Sequence, residues 1–223
     1  MMIHVDQIIR SKRKTLALVV RPDGSLLVRA PWRTPKYVIQ EFVEKNRKWI
    51  ETKQAQALAV LPPAPRQYMP GEMFLYLGMN SPLDLVEGQR EPLRLDDGKF
   101  KLALSRQGDA APAFERWYRE QARQVLSARV EFFARQNDFQ YKRIRITSAR
   151  TRWGSCSATG SLSFSWRLIL APLEVVDYVV VHELVHTVFH NHSKQFWDRV
   201  GTIMPDSTKH RRWLRENGRQ LLA

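Results

Sequence analysis

The chain has 223 residues, of which 43% are hydrophobic, enough to bury one sizeable core or two small ones. Its single cysteine, Cys156, excludes an intramolecular disulfide. Lys and Arg number 36 against 22 Asp and Glu, a formal net charge of +14, and no apolar stretch qualifies as a membrane span: the best, Leu168 to Val181, is too short and carries Pro172, Glu174 and Asp177.

In chain order, residues 3 to 30 alternate and turn like a small antiparallel sheet. Leu16, Leu18 and Val20 alternate with smaller or polar neighbours, Pro22-Asp23-Gly24 signals a turn, and Leu26-Leu27-Val28 is the return strand. Thr34 opens a helix of about 25 residues with Val38, Ile39, Phe42, Val43, Trp49 and Ile50 on its apolar side, and Leu61-Pro62-Pro63-Ala64-Pro65 ends it as a linker. Strands follow at Phe74 to Gly78, Leu83 to Val86, Leu93 to Leu95 and Phe100 to Leu104, with Asp97-Gly98 as a hairpin turn. Pro112 begins a long helix to about Gln136, carrying Phe114, Trp117, Tyr118, Ala122, Val125, Leu126, Val130 and Phe133 at helical spacing. Ile144 and Ile146 alternate with basic residues, and Ser161 to Trp166 alternates strictly; both read as strands. Three helices complete the chain, the last from about Ser207. The fold class is therefore α+β: a β-rich N-terminal part with one long helix over residues 1–111, and a C-terminal α+β part over residues 112–223.

The first of those three helices holds the chemistry. Ala171-Pro172-Leu173-Glu174 starts it, and Val175, Val176, Val179, Val180, Leu184 and Val188 form its apolar stripe. These β-branched valines weaken its intrinsic propensity, so burial must hold it. On it lies His182-Glu183-Leu184-Val185-His186. Histidines four apart sit on one helix face and can reach a single metal ion, while the glutamate beside the first points roughly 100° away, toward a metal-bound water. This is the pattern of a zinc hydrolase lacking its third ligand. Four of the six histidines fall between His182 and His192. His192 is the favoured third ligand, at a turn before a helix that Asn191 or Ser193 caps and that buries Phe196, Trp197, Val200 and Ile203. His190 is its rival, but three residues at successive turns of one straight helix span ~12 Å, against zinc–nitrogen bonds of ~2 Å.

The charge reads either as a basic, solvated surface or as a match to a polyanionic partner: nucleic acid, nucleotide phosphates or an acidic peptide. It clusters at Arg10-Lys12-Arg13-Lys14, at Lys142-Arg143-Arg145 with Arg150 and Arg152, and at Lys209-Arg211-Arg212-Arg215, with no low-complexity tail, so any anion site is built on the folded surface. Arg150, Arg152 and Arg167 are candidates for oxyanion or anion contacts. Cys156, Trp153 and Trp166 read as packed residues. The lone cysteine and the lack of an apolar leader behind a basic start lead us to expect a cytoplasmic protein without a membrane partner.

Arg152-Trp153-Gly154-Ser155-Cys156-Ser157, Leu162 to Leu168, Val179 to His186 and Asn191 to Trp197, with Ser11-Lys12-Arg13-Lys14-Thr15 and Gly71 to Gly78, resemble the YgjP-like family of zinc metallopeptidases, related to the SprT and WLM groups. The resemblance covers nearly the whole chain. It implies a zincin-like C-terminal part with a small antiparallel sheet, Zn2+ on His182, His186 and His192, and Glu183 as general base. It also implies that the strand near Ser161 to Trp166 lies beside the metal helix as an edge that holds extended substrate.

Three functions compete at this stage. One is a zinc peptidase acting on a peptide or protein. The second is a hydrolase of nucleotide phosphoanhydrides, such as a nucleoside triphosphate pyrophosphatase, using the same site. The third is a nucleic-acid-associated module whose metal is structural, which would normally require four protein ligands.

Overall fold

The computed structural model describes residues 3–21, 23–58 and 66–222. The proline-rich linker expected at Leu61 to Pro65 lies outside them, as does Pro22 of the expected turn. The chain divides into two compact units, Met1–Ala64 and Pro65–Ala223.

The first unit contains strands β1 (Gln7–Ser11), β2 (Ala17–Val20) and β3 (Leu26–Pro31), then helices α1 (Lys36–Lys45) and α2 (Arg47–Leu58). The sheet order is β1-β3-β2. β2 pairs antiparallel with β3 but β1 pairs parallel, so the sheet is mixed rather than purely antiparallel. Leu26, Val28 and Ala30 alternate onto one face and pack on Ile39, Val43 and Ile50. The single helix expected from Thr34 is two helices. Asn46 leaves helical geometry (φ −103°, ψ 16°), and its side-chain amide donates back to the Phe42 carbonyl at 2.7 Å. That bond is the kind by which asparagine competes with the helix ladder.

The second unit opens with a four-stranded sheet of order β4-β5-β7-β6, from β4 (Met73–Tyr76), β5 (Met79–Val86), β6 (Leu93–Asp96) and β7 (Lys99–Ala103). The two-residue turn at Asp97-Gly98 has both φ values positive (50° and 73°), as the hairpin signal predicts. Helix α3 (Ala110–Asn137) crosses this sheet. Phe114 stacks on Phe74 at 4.1 Å between centroids and lies 5.2 Å from Phe100. That packing explains why the boundary falls at 64/65 and not at 111/112 as the order of elements suggested: strands β4–β7 wall the same core as α3.

A second small sheet has the order β8-β10-β9, from β8 (Arg143–Thr147), β9 (Gly154–Cys156) and β10 (Ser161–Ser165). β10 is its middle strand, parallel to β8 and antiparallel to β9. The expected edge strand near Ser161 to Trp166 is therefore interior, and the edges are β8 and β9, the latter a segment whose Gly-Ser-Cys-Ser composition reads as a turn. Helices α4 (Leu173–Val185), α5 (Lys194–Ile203) and α6 (Ser207–Leu222) follow. α4 is buried nearly all round, from Val175 to Val185, which explains how a valine-rich helix is stable. Arg129 of α3 grips Asp177 of α4 through two bonds of 2.6 and 2.7 Å. The hairpin turn before β5 braces the start of α4: Leu77 and Gly78 donate to the carbonyls of Ile169 and Leu170. A side chain at Gly78 (φ 78°) would press on Pro172 at 2.9 Å. Among the described residues no helix is long and apolar enough to cross a membrane.

Candidate metal centre

α4 ends at Val185, and His186 caps it with φ −66° and ψ −16°. The chain then turns through Thr187 to Asn191, and Ser193 caps α5 by accepting from the Phe196 amide. This early break carries His192 back over the helix. The ligand atoms of His182, His186 and His192 all lie within 4.8 Å of one another. His182 Nε2 and His192 Nε2 are 3.1 Å apart. Two nitrogens bound ~2.0–2.1 Å from one tetrahedral ion would sit ~3.3 Å apart, so the donor set fits zinc. His190 is exposed and outside this group.

The rings are held by contacts from α5. Phe196, fully buried, packs against all three at centroid distances of 4.9, 4.5 and 4.8 Å. Trp197 stacks on His192 at 5.5 Å and itself carries the Arg211 guanidinium at 4.7 Å. His186 Nδ1 lies 2.9 Å from the Phe189 carbonyl. A carbonyl only accepts, so Nδ1 bears the proton and Nε2 keeps its lone pair for a metal. His182 Nδ1 is buried without a partner among the described residues. Burial, with His186 and His192 beside it, pushes the His182 imidazole down to about 3, and burial also lowers His192. Neutral imidazole is the ligating form.

Glu183 is 5% exposed, and its Oε2 has no partner among the described residues. Burial pushes its carboxyl up to about 7, with Arg152 pulling the other way. Its side chain lies directly under Gly154 of β9: a Cβ there would sit 2.6 Å from Glu183 Cγ and Oε1. Cys156, two residues along the same strand face, feels the Glu183 charge, and burial raises its thiol above the ordinary value. That suppresses thiolate chemistry and supports its reading as a packed residue.

β9 is also an edge strand, with no strand paired on its outer side among the described residues. Trp153 O accepts from Ser165 N and Ser157 N donates to Ser161 O, so the odd-numbered residues face β10. By alternation, the main-chain groups of Gly154 and Cys156 point away from the sheet.

The three candidate arginines do not converge. Arg152 is exposed and lies within the field of Glu183. Arg150 and Arg167 belong to another cluster with Arg119. Arg167, 7% exposed, lies over the Trp166 ring at 4.3 Å and donates to Ser148 O at 3.4 Å. Arg211, whose charge helps lower His182 and His192, reads in the sequence only as a member of a basic cluster and not as a site residue. It reaches the site from α6, and nothing local tells it apart from its basic neighbours. Gly154 was equally hidden, since its importance is a tertiary contact.

A family model described as the YgjP-like metallopeptidase domain matches residues 14–217, most of the chain. The chain belongs to the YgjP-like family. Membership makes it a metal-dependent hydrolase by class, and a divalent metal is the cofactor such a domain implies. No curated protein matches the chain.

Proposed function

We propose that this YgjP-like protein is a zinc peptidase in which His182, His186 and His192 hold the ion and Glu183 is the general base. The observation that carries the reading is the convergence of three imidazoles beside a buried, unpaired carboxylate, under a strand whose edge is free. A bound zinc ion supplies Lewis acidity and acidifies water. Glu183, poised near neutrality, takes a proton from the attacking water and returns it to the leaving amine. The outward amide and carbonyl groups of Gly154 and Cys156 pair with an extended peptide and align it past Glu183. This transfers the substrate-holding role from the strand at Ser161 to Trp166 to β9. Three protein ligands rather than four favour a working site over a structural one.

The experiment is cleavage of casein and a peptide library by zinc-loaded protein beside Glu183→Gln. Cleavage by wild type alone supports the proposal; equal background in both removes it. The alternative, hydrolysis of a nucleotide phosphoanhydride, draws support from Arg152 and Arg211 flanking the site. Release of phosphate or pyrophosphate from a nucleoside triphosphate panel by wild type, and not by Glu183→Gln, would select it.

A further inference from the structure

We propose that the end of the N-terminal sheet from which β3 exits is a binding surface for single-stranded nucleic acid. Topology assembles this surface. β1 runs parallel to β3, with Ser11 opposite Pro31, and β2 runs antiparallel, with Ala17 opposite Arg29. The loop of residues 12–16 must therefore cross at the same end where residues 32–35 leave for α1. Arg10, Lys12, Arg13, Lys14, Arg29, Arg33 and Lys36 are gathered there, and residues 10–17 and 29–36 contain no acid.

The carboxylates lie elsewhere. Asp6, Asp23 and Glu51 line a cavity at the opposite end, and Glu44 is held there by the Ile3 amide. Glu41 stands mid-way along α1. The ion pairs of this unit among the described residues join His4 to Asp6 and Arg47 to Glu44 and Glu51, none of them at the basic end. Arg13 Nε is buried with no hydrogen-bond partner among the described residues.

Two aromatic rings stand among these cations. Trp32 is 61% and Tyr37 72% exposed. Arg10 orders the turn that presents Trp32 and Arg33, donating from Nη1 to the carbonyls of Trp32 at 2.9 Å and Thr34 at 2.7 Å. Cations interleaved with exposed rings on a braced turn match a polymer that alternates phosphates with flat bases. A bilayer surface offers the charge without planar partners for the rings, and a duplex hides its bases in the stack. The surface is built from residues of the first unit and the histidines belong to the second, so the proposal stands whatever bond the enzyme cuts.

The test is fluorescence anisotropy of a labelled 20-nucleotide single strand with the full chain across a salt series. Binding should weaken linearly in log–log form, and Lys12→Ala/Lys14→Ala/Arg33→Ala should flatten the slope by roughly 2, at about 0.7 per lost phosphate contact. Trp32→Ala should weaken binding roughly fivefold or more with the slope unchanged. Arg21→Ala, a cation at the far end of the sheet, should have no effect. The charge-conserving Lys12→Arg/Lys14→Arg variant should bind like wild type, which separates charge loss from misfolding. Unchanged affinity in the triple alanine variant overturns the proposal. So does tighter binding to a duplex of equal length or to phosphatidylserine vesicles.

Discussion

Replacing Gly154 with alanine places a methyl group 2.6 Å from Glu183 Cγ and Oε1 and 2.9 Å from Cδ. Non-bonded carbons rest at about 3.5–4.0 Å, so roughly 1 Å of separation must be found. α4 is packed on every side and cannot retreat. The carboxylate must swing, or β9 must lift from its short ladder to β10. If Glu183 is the base, a displacement of that size lowers turnover about 100-fold, or about 2.7 kcal/mol in the barrier. The steric contact itself adds about 1–3 kcal/mol of destabilisation. Zinc stoichiometry should stay near one, because the three histidines are anchored from α4 and the 186–196 segment rather than from β9. The assay is peptide cleavage by Gly154→Ala and Gly154→Ala/Glu183→Gln, with metal content and urea unfolding measured alongside. In the Glu183→Gln background the alanine should cost no further activity. Turnover within threefold of wild type, or losses that simply add, would refute the reasoning.

Other consequences can be checked separately. If His192 is the third ligand, His192→Ala should lower zinc binding at least 100-fold, and since the side chain is exposed, chelator-treated protein should unfold within about 0.5 kcal/mol of wild type. Arg129→Ala leaves Asp177 buried without its bidentate partner, at a cost on the order of 3 kcal/mol, read as a lower urea midpoint at constant slope. In chelator-treated protein the carboxyl of Glu183 is raised to about 7 from its ordinary 4.5, so the folded form binds the extra proton. Its contribution to stability is full below about pH 4.5 and is lost as pH rises through 7. Wild type should therefore lose stability from pH 5 to 8 relative to Glu183→Gln; parallel pH profiles for the two proteins would contradict this. Gly78→Ala strains a left-handed turn and presses on Pro172, and should destabilise the second unit by about 1–3 kcal/mol in urea.

The elements read from periodicity match where the signal is local and long. Helix α3, the hairpin at Asp97-Gly98 and the alternating strand β10 lie where the pattern places them. The reading failed at one local side-chain bond, Asn46 to the Phe42 carbonyl, and where a residue's meaning depends on a distant partner. Asn46 breaks a helix that its neighbours' apolar spacing would continue. Gly154-Ser155-Cys156 is too short and too small-residued to announce a strand, and becomes one only because β10 pairs with it. Strands β4–β7 carry no mark of which core they join until Phe74 meets Phe114.

What consecutive residues determined is the pairing of His182 and His186 with Glu183 between them, because one helical turn is fixed by backbone geometry alone. The choice of His192 over His190 could be argued from axial distance, but its realisation needed the chain to break after Val185 and Phe196 to wedge the rings together. Strand order, the free edge of β9, the glycine beneath which the glutamate fits and the dispersal of the arginines were decided by tertiary packing. These are contacts between residues far apart in the chain, and nothing in local spacing encodes them.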